Sequence, residues 1–404
     1  MMAETYLSAR QAAAALGVRP ATLYAYVSRG LIRSEPASGR ARRYHAEDVA
    51  ALRRRHERDP AAAAEAALNF GAPVLESAIT LILDGKLYYR GRDAADLARS
   101  ASLREVASLL WQADGAAIFA ADNLPAVTPA LTRAWGAVAA LRPIERCLAL
   151  LPMAAAADTA GLDTAPSSLP RTAARILRLL AAVVAGSKPS PRPVDAVLAG
   201  AWGVRAASRP LLRAALILSA DHELNVSAFA ARCVASARAS PYNAVIAGMA
   251  ALQGARHGGA SEHADAFLGA ALAAADPAEL AAAYLRRGDR MPGFGHYLYP
   301  EGDPRAEVLI DLMTEHAMPL VAEARRIAAA VDRLIHRAPN IDFALALLRR
   351  GLALPEGSAL ALFLIGRSMG WLAQAEEQYA VDRLIRPRAR YVGPTPPSPQ
   401  FGRG

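Results

Sequence analysis

The amino-acid sequence predicts a mostly α-helical protein. Apolar residues make up 53% of the 404 residues and aromatic residues only 6%, so alanine and leucine must fill the core, and both favour helices. Apolar residues also recur at a spacing of three and four in Leu103–Trp111, Ala173–Val184 and Leu211–Leu218, which is the period of a helix with one buried face. A chain of this length is expected to form two or three structural units.

A helix-turn-helix is predicted near the N-terminus. Ser8 and Gln11 have the spacing of a capping box, and the alanine-rich helix that they would open ends near Gly17. Pro20 suits the first turn of a second helix, which continues through Ala21–Arg29. Two short helices joined by a tight turn that contains glycine are typical of this motif.

We place the first domain at residues 1–60. The remainder of its sequence predicts a wing and a third helix. Residues 32–45 (IRSEPASGRARRYH) are basic and rich in turn formers, and Ala46–Arg58 follow with helical periodicity. The patterns L-G-V-x-x-x-T-L-Y and R-R-Y-x-x-x-D-V resemble the winged helix-turn-helix of MerR-type regulators.

This resemblance implies that the first domain binds DNA. Residues 1–60 hold eleven arginines against six acidic residues, a surplus of five within a net charge of +9, which favours a polyanionic partner. One face of the second helix would reach phosphates or base edges, whereas Leu23, Tyr26 and Val27 would be core. The alternative is a structural or dimerising remnant that no longer touches DNA. The candidate DNA-contacting residues are Thr22, Tyr24, Ser28, Arg29, Arg42 and Arg43.

The remaining sequence divides into a linker, a second domain and a tail. We expect an alanine-rich linker at residues 61–75 and a helical domain at residues 76–393. A short hairpin is predicted within Leu81–Asp93, where an Asp-Gly pair suits a turn. The proline-rich tail, residues 394–404, is expected to be disordered.

Nothing in the sequence indicates secretion or membrane insertion. The N-terminus lacks the apolar segment of a signal peptide, and no run of eighteen apolar residues occurs. The two cysteines, Cys147 and Cys233, cannot build a disulfide framework or a zinc cluster. We therefore expect a cytoplasmic protein that has no metal site and no membrane partner.

Three histidines stand in unusual sequence contexts. His222 lies between two acidic residues before a predicted helix, His257 precedes two glycines, and His296 follows a glycine loop. Glycine beside histidine lets another group approach closely, so two such sites favour a ligand cavity. Each of the three could instead be a structural histidine. The histidines expected to be exposed are His45, His56, His263, His316 and His336.

Carboxylate and guanidinium groups accompany these histidines. Asp342 enters an apolar helix after a Pro-Asn break, so it is either a helix cap or a functional carboxylate. Arg305, Arg367 and Arg386 have apolar neighbours, and a buried arginine needs an anion partner. The residues alone therefore indicate histidine acid–base chemistry on a small polycarboxylate.

Seven segments, taken in order, resemble the citrate synthase family over roughly residues 76–393. They are LYYRGRDAADLA, SADHELNVSAFAARCVAS, YNAVIAGMAALQGARHGGASE, PGFGHYLYPEGDPRAE, APNIDFALA, GRSMGWLAQAEEQ and LIRPRARYVGP. Some bacterial members of the family are similar in carrying an N-terminal helix-turn-helix. The resemblance implies a nearly all-α homodimer with large and small helical domains, the small one at roughly 225–340, which close on the substrate.

The resemblance also implies a reaction and a role for each catalytic residue. Acetyl-CoA, or propionyl-CoA, would condense with oxaloacetate and water, giving citrate or 2-methylcitrate without a cofactor. Asp342 would take a proton from the acyl group. His257 would hydrogen-bond the thioester oxygen, and His296 would polarise the oxaloacetate carbonyl and protonate the alkoxide that forms.

Binding residues are implied in the same way. Oxaloacetate would be held by His222, Arg305, Arg367 and, from the partner subunit, Arg386, and CoA would meet Arg290, Pro292, Gly293 and Gly295. The sequence departs from the family at Pro300, where many members carry a basic residue that meets a CoA phosphate. The alternative function is a ligand-sensing DNA-binding regulator built on the synthase fold, and a protein with both activities is compatible with the sequence.

Overall fold

The computed structural model describes residues 6–18, 20–37, 42–58, 75–389 and 391–394. The chain divides into two compact units, Met1–Glu76 and Ser77–Gly404, and each is described here by itself. The predicted linker at 61–75 and tail at 394–404 lie outside the described residues, except for their residues 75 and 394.

The first unit combines three helices with a small antiparallel sheet. The helices are α1 (Ala9–Leu16), α2 (Pro20–Ser28) and α3 (Ala46–Arg58), and the strands are β1 (Tyr6–Ser8), β2 (Ser34–Pro36) and β3 (Arg42–His45). The predicted capping box is confirmed, because Ser8 accepts the backbone N–H of Gln11 while Gln11 accepts that of Ser8. Strand β3 pairs with both β1 and β2, so the predicted wing, β2 and β3, is part of a three-stranded sheet in which β2 is an edge strand.

The core of the first unit lies between the helices and the sheet. Leu23 and Tyr26 of α2 are buried with Tyr44 of β3, as expected for the inner face of α2. His45, expected on the surface, is only 8% exposed. Strand β1, which was not predicted, places Tyr6 against it at a ring separation of 4.8 Å. His263, His316 and His336 are exposed as predicted, and the side chain of His56 lies outside the described residues.

The second unit begins with the predicted hairpin. Strands β4 (Thr80–Leu83) and β5 (Lys86–Tyr89) are joined by Asp84 and Gly85, both with positive φ, as a two-residue hairpin turn requires. A two-residue strand, β6 (Arg92–Asp93), completes this sheet.

Helices form the remainder of the second unit, which makes the protein mostly α-helical. Those within the described residues are α4 (Ala94–Ser100), α5 (Leu103–Leu110), α6 (Gly115–Ile118), α7 (Pro129–Ala137), α8 (Pro143–Ala157), α9 (Leu169–Ala185), α10 (Val194–Ala201), α11 (Arg209–Leu218), α12 (Val226–Ser236), α13 (Pro241–Leu252), α14 (Gly259–Ala273), α15 (Pro277–Arg286), α16 (Pro304–Glu315), α17 (Val321–Ile335), α18 (Ile341–Gly351) and α19 (Ser358–Val381). No helix among the described residues is both long and apolar enough to cross a membrane.

Helix α19 is the central element of the second unit. It is buried along most of its length and packs against α11, α12 and α13. Two glycines allow a close approach to the end of α11, because a Cβ at Gly366 would collide with the carbonyl oxygen of Leu216, and one at Gly370 with that of Ala220. The backbone N–H of Gly370 also donates to Ala220 at 3.0 Å. The segment that leads to His222 is therefore fixed directly on α19.

Candidate active site

His296 lies in the loop between α15 and α16. Its Nδ1 accepts the backbone N–H of Leu298 at 3.1 Å, and the N–H of Tyr299 donates to the carbonyl of His296 at 3.2 Å, which closes a tight turn. Burial, followed by the nearby Arg305, lowers the pKa of His296 to about 4, so the ring is neutral near pH 7. Because Nδ1 is an acceptor, the single proton of the neutral ring is on Nε2, where it is available as a donor.

His222 lies beside His296, in the segment between α11 and α12. Its ring is 4.9 Å from the ring of His296, and its Nε2 is 3.0 Å from the hydroxyl of Tyr299. Burial lowers the pKa of His222 well below its ordinary value, and Arg305 adds to this effect. Tyr299 completes the group of rings at 5.0 Å from His296 and 5.5 Å from His222.

Arg305 enters the site from the first turn of α16 and carries its own counter-ion. Asp303, the N-cap of α16, accepts Nε of Arg305 at 2.9 Å and Nη2 at 2.7 Å. The same carboxylate accepts the backbone N–H of Ile341 at 3.0 Å, which joins the start of α16 to the start of α18. Both side chains of the ion pair are buried, so Arg305 is held in one position.

Arg367 enters the site from α19, and only some of its N–H groups have a hydrogen-bond partner among the described residues. It is 1% exposed, and its Nε donates to the carbonyl of Ser219 at 2.7 Å. Its Nη2 is buried without a hydrogen-bond partner among the described residues, and its guanidinium lies 4.6 Å from the ring of Phe363. Burial lowers the pKa of Arg367 to about 10, against the opposing charge of Asp221, so it remains a cation near neutral pH.

Asp221 links this part of the site to the hairpin. One of its carboxylate oxygens accepts the hydroxyl of Thr80 at 2.6 Å and the amide of Gln374 at 3.3 Å. Burial raises the pKa of Asp221 to about 6. The residue next to His222 is therefore fixed by both β4 and α19.

His257 lies in the turn that precedes α14. Its Nε2 is 2.7 Å from the hydroxyl of Ser227, which also accepts the indole N–H of Trp371 at 3.0 Å and lies 2.7 Å from Oδ1 of Asn225. Burial, followed by Arg367, lowers the pKa of His257 to about 4. The ring packs edge-on against Phe363, at 6.0 Å, so α19 positions His257 as well as Arg367.

Asp342 lies in the first turn of α18. The helix cap is Asn340, whose side chain accepts the backbone N–H of Asp342 at 3.0 Å, which leaves the carboxylate of Asp342 free for another role. That carboxylate accepts the hydroxyl of Ser261 from α14. Burial raises the pKa of Asp342 to about 6, although the Ser261 hydrogen bond acts in the opposite direction.

The positive charges of two arginines act on several of these residues. Arg305 and Arg367 both contribute to the pKa of His222 and of His296, and both also act on Asp342. Their positive charges help to keep the imidazoles neutral and favour the ionised carboxylate. The structure thus gathers the six residues His222, His257, His296, Arg305, Asp342 and Arg367 around one site.

Comparison with known proteins finds a family match for each of the two units. The family described as "Citrate synthase, C-terminal domain" matches residues 68–388, and the family described as "Helix-turn-helix domain" matches residues 6–57. Citrate synthase 2 of Bacillus subtilis is 31% identical over 378 residues, which cover 80% of this chain and 95% of that protein. The chain belongs to the citrate synthase family.

Solved structures of citrate synthases have the same fold. That of Thermotoga maritima is similar with a TM-score of 0.66 and 26% identity, covering 81% of this chain and 95% of that chain. That of Pyrobaculum aerophilum has a TM-score of 0.68 and 26% identity, covering 81% of this chain and 92% of that chain.

Several residues expected in a citrate synthase site are not among the six gathered residues. Arg386 is exposed in the segment after α19. Arg290 is exposed as well. Gly293 and Gly295 instead hold the His296 loop against α18: the carbonyl of Gly293 accepts the N–H of Asn340 at 2.9 Å, and that of Gly295 accepts its side-chain amide at 3.0 Å. Pro292 precedes them in this loop and is partly buried.

A cavity of about 360 Å³ lies between α16 and α17, and Asp303, the counter-ion of Arg305, is one of its lining residues. Acidic side chains and Arg325 line it, together with Pro339 and Phe343, but none of the three candidate catalytic residues does. Its charge does not suit the phosphates of CoA, and we do not assign it to the substrate.

The candidate DNA-contacting residues divide into exposed and internally bonded groups. Tyr24 is 52% exposed and Ser28 is exposed on α2, whereas Thr22 and Arg29 are partly buried. In the wing, Arg43 bonds Glu35 at 2.8 Å and stacks on Tyr6 at 4.2 Å, and Arg42 donates to Ser34 at 3.0 Å.

Sequence reasoning missed the residues that orient the predicted ones. Tyr299, Ser227 and Asp303 were not singled out, although Asp303 stands in the Asp-Pro pair before Arg305. Such an Asp-Pro-Arg sequence at a helix start is a usable signal, since Asp is a preferred N-cap and Pro a preferred first residue. Tyr299 and Ser227 contact histidines 77 and 30 residues away, and no local pattern reports such contacts.

Proposed function

We propose that this chain condenses acetyl-CoA with oxaloacetate and water to give citrate and CoA. The observation that carries the proposal is the combination of a carboxylate of raised pKa, Asp342, with two neutral imidazoles, His257 and His296, beside two buried arginines. The matched family and the relatives named citrate synthase support the same reaction. The chemistry needs only side chains of the protein, with the CoA thioester as a substrate.

Oxaloacetate binds first, as a dianion, to Arg305 and Arg367. The unpartnered Nη2 of Arg367 supplies a charged donor that is already desolvated, so a carboxylate that reaches it forms a strong charge-assisted hydrogen bond. Arg305 is held in place by Asp303 and presents its remaining donors. His222, adjacent to His296, adds a neutral donor.

The second step removes a proton from the methyl group of the thioester. A thioester methyl is a weak acid, so Asp342 alone cannot deprotonate it unless a donor meets the charge that develops on the thioester oxygen. His257 supplies that donor, and the proton passes to the carboxylate of Asp342. A pKa of about 6 leaves Asp342 ionised near pH 7 while making it a stronger base than a solvated aspartate.

His257 donates through Nδ1 in this scheme. Its Nε2 faces Ser227, and Ser227 has one proton, which can go either to Nε2 or to Oδ1 of Asn225. That oxygen already accepts the backbone N–H groups of Ser227 and Ala228, each at 3.1 Å. The scheme requires Ser227 to donate to His257 rather than to Asn225, and this direction places the imidazole proton on Nδ1.

The third step forms the carbon–carbon bond. The enol carbon attacks the carbonyl carbon of oxaloacetate, whose oxygen accepts a hydrogen bond from Nε2 of His296. The alkoxide takes that proton, which gives citryl-CoA, and the proton that Asp342 removed from the methyl group returns through solvent to His296, so both residues regain their starting forms. Water then adds to the acyl carbon, the carbon–sulfur bond breaks, and citrate and the CoA thiol are released. The acyl group is proposed as acetyl, with propionyl giving 2-methylcitrate as the competing possibility, because one methylene changes binding by only about 1–3 kcal/mol.

The test of this function is thiol release from acetyl-CoA and from propionyl-CoA, each with and without oxaloacetate. We expect oxaloacetate-dependent release that is lost in Asp342→Ala and retained in Asp332→Ala, an exposed aspartate in α17. The ratio of the two rates identifies the acyl group. Folded protein that releases no thiol with either substrate would refute the proposal.

We also propose that the complete site belongs to a homodimer. Arg386 is exposed in the single chain and follows α19 by five residues, so a second copy can present it to the site of the first. Family membership supports this arrangement.

For the first unit we propose DNA binding. The helix-turn-helix match and the exposed face of α2 with Tyr24 and Ser28 support it, whereas the wing arginines are already engaged in internal contacts. Fluorescence anisotropy with a pool of selected duplexes should show salt-dependent binding that weakens in Tyr24→Ala but not in Tyr391→Ala, an even more exposed tyrosine of the second unit. If no duplex competes better than random DNA at near-physiological salt, the unit is structural. A regulator without catalysis is not favoured, because the synthase residues are all present.

A further inference from the structure

Tyr299 has a position in the site that nothing in the proposed chemistry requires. It is 2% exposed and forms the third ring of the group with His222 and His296. The guanidinium of Arg305 lies 5.6 Å from its ring. A phenylalanine would pack equally well here, so the hydroxyl is the feature that needs an explanation.

The hydroxyl has one hydrogen-bond partner within the part of the chain that the structure describes, and that partner is Nε2 of His222 at 3.0 Å. Burial raises the pKa of the Tyr299 phenol, so the phenol keeps its proton. A buried phenol proton without an acceptor is destabilising, and His222 is the acceptor in reach among the described residues.

The direction of this hydrogen bond determines which nitrogen of His222 carries its proton. His222 is neutral, so it has one N–H and one lone pair. If Nε2 donated to Tyr299, the phenol proton would have no acceptor among the described residues. If Tyr299 donates to Nε2, both groups are satisfied and the imidazole proton lies on Nδ1.

We propose that Tyr299 is a positioning residue of the oxaloacetate site, and that its hydroxyl donates to Nε2 of His222 and so places the proton of that imidazole on Nδ1. His222 is thereby kept as a hydrogen-bond donor toward the dianionic substrate. The assignment of the substrate rests on the proposed synthase function, whereas the assignment of the proton rests on the hydrogen bond alone.

The same turn determines the proton position in His296, with the opposite result. There the backbone N–H of Leu298 occupies Nδ1 and leaves the proton on Nε2. Two consecutive residues of one turn, Leu298 and Tyr299, thus set two neighbouring imidazoles in opposite tautomers. In both rings the remaining proton is free for a ligand, as the binding of an anion and of a carbonyl oxygen requires.

The first test is nuclear magnetic resonance of the full-length protein carrying histidine labelled with ¹³C and ¹⁵N. The ring shifts distinguish the two neutral tautomers, and the signal of His222 is assigned by its loss in His222→Asn. We expect His222 with its proton on Nδ1 and His296 with its proton on Nε2. A His222 with its proton on Nε2 in the wild-type protein would overturn the proposal, and this readout depends neither on turnover nor on any variant of Tyr299.

The second test compares Tyr299→Phe with Tyr379→Phe, which loses a buried phenol bonded to the carbonyl of Ala239 at 2.6 Å. Oxaloacetate binding is measured by calorimetry and turnover by thiol release. For Tyr299→Phe we expect about tenfold weaker oxaloacetate binding, kcat within about threefold of wild type, and a shifted His222 signal. We expect none of these changes in Tyr379→Phe.

The outcomes separate the two proposals. Equal losses in both variants, or an unchanged affinity and tautomer in Tyr299→Phe, would reduce Tyr299 to packing. Weaker oxaloacetate binding in Tyr299→Phe with no thiol release from the wild-type protein would retain the positioning role and refute the synthase.

Discussion

Removal of the Ser261 hydroxyl should move the pH optimum of the enzyme. Burial raises the pKa of Asp342 to about 6, and the hydrogen bond from Ser261 is the largest effect that opposes this rise. A hydrogen bond to a charged group contributes about 1.5–3 kcal/mol, which corresponds to about 1–2 pKa units. In Ser261→Ala the pKa of Asp342 should therefore rise to about 7–8.

The effect on rate follows from the fraction of Asp342 that is ionised. With a pKa of about 6, roughly nine-tenths of the carboxylate is ionised at pH 7, but a pKa of about 7–8 leaves only about one-half to one-tenth. The variant should lose about two- to tenfold in kcat/KM at pH 7 and recover most of it by pH 9. The acid limb of the pH profile, measured by thiol release between pH 5 and pH 9, should shift upward by about one to two units.

A matched control separates this effect from general damage. Ser108→Ala removes a hydroxyl of α5 that donates to the carbonyl of Arg104 at 2.8 Å, and its pH profile should match that of the wild type. An acid limb in Ser261→Ala that stays at the wild-type pH would refute the reasoning. A loss of rate that is uniform across pH would instead assign Ser261 to packing.

Three further predictions concern stability, catalysis and assembly. The folded state raises the pKa of Asp342 from 3.8 to about 6, so the stabilising effect of the protonated carboxyl is complete below about pH 4 and is lost as the pH rises through 6. The free energy of unfolding of Asp342→Asn, measured by denaturant titration, should therefore exceed that of the wild type by up to about 3 kcal/mol at pH 8 and should not exceed it at pH 4. A gain of equal size at both pH values would contradict this origin. His257→Ala should lower kcat about 10²–10³-fold while changing the affinity for oxaloacetate less than about threefold, and equal losses in both would argue against a donor to the enol. Inactive Arg386→Ala chains mixed with inactive Asp342→Ala chains should regain activity through hybrid dimers, and mixtures that stay inactive would show that each site is built from one chain.

The sequence predicted those parts of the fold that local patterns determine. The capping box at Ser8, the hairpin turn at Asp84–Gly85 and helix α3 at Ala46–Arg58 each depend on residues within a few positions of one another. The burial of His45 was predicted wrongly because it depends on the pairing of β3 with β1, a strand of only three residues. Such short strands carry too few residues for a periodicity to be visible.

In the candidate site too, contacts between residues close in sequence could be predicted, whereas contacts between distant residues could not. The break before Asp342 marked the start of a helix, but the structure was needed to show that Asn340 is the cap and that the aspartate is free. The anion partner expected for a buried Arg305 is Asp303, two residues away. The contact of Tyr299 with His222 spans 77 residues, and only the fold brings the two together.

The direct contact of Gly370 with Ala220 has a consequence for substrate selection. Arg367 lies one turn before Gly370, and His222 lies two residues after Ala220, so the backbones that carry these two side chains are bonded to each other without intervening side chains. Neither backbone can slide relative to the other, and any movement of α19 displaces both recognition groups together. We therefore expect the spacing between the two groups to change little, so that a keto diacid one methylene longer than the proposed substrate, oxaloacetate, should bind more weakly. Chain-length discrimination would then depend on this main-chain contact as well as on the side chains that it carries.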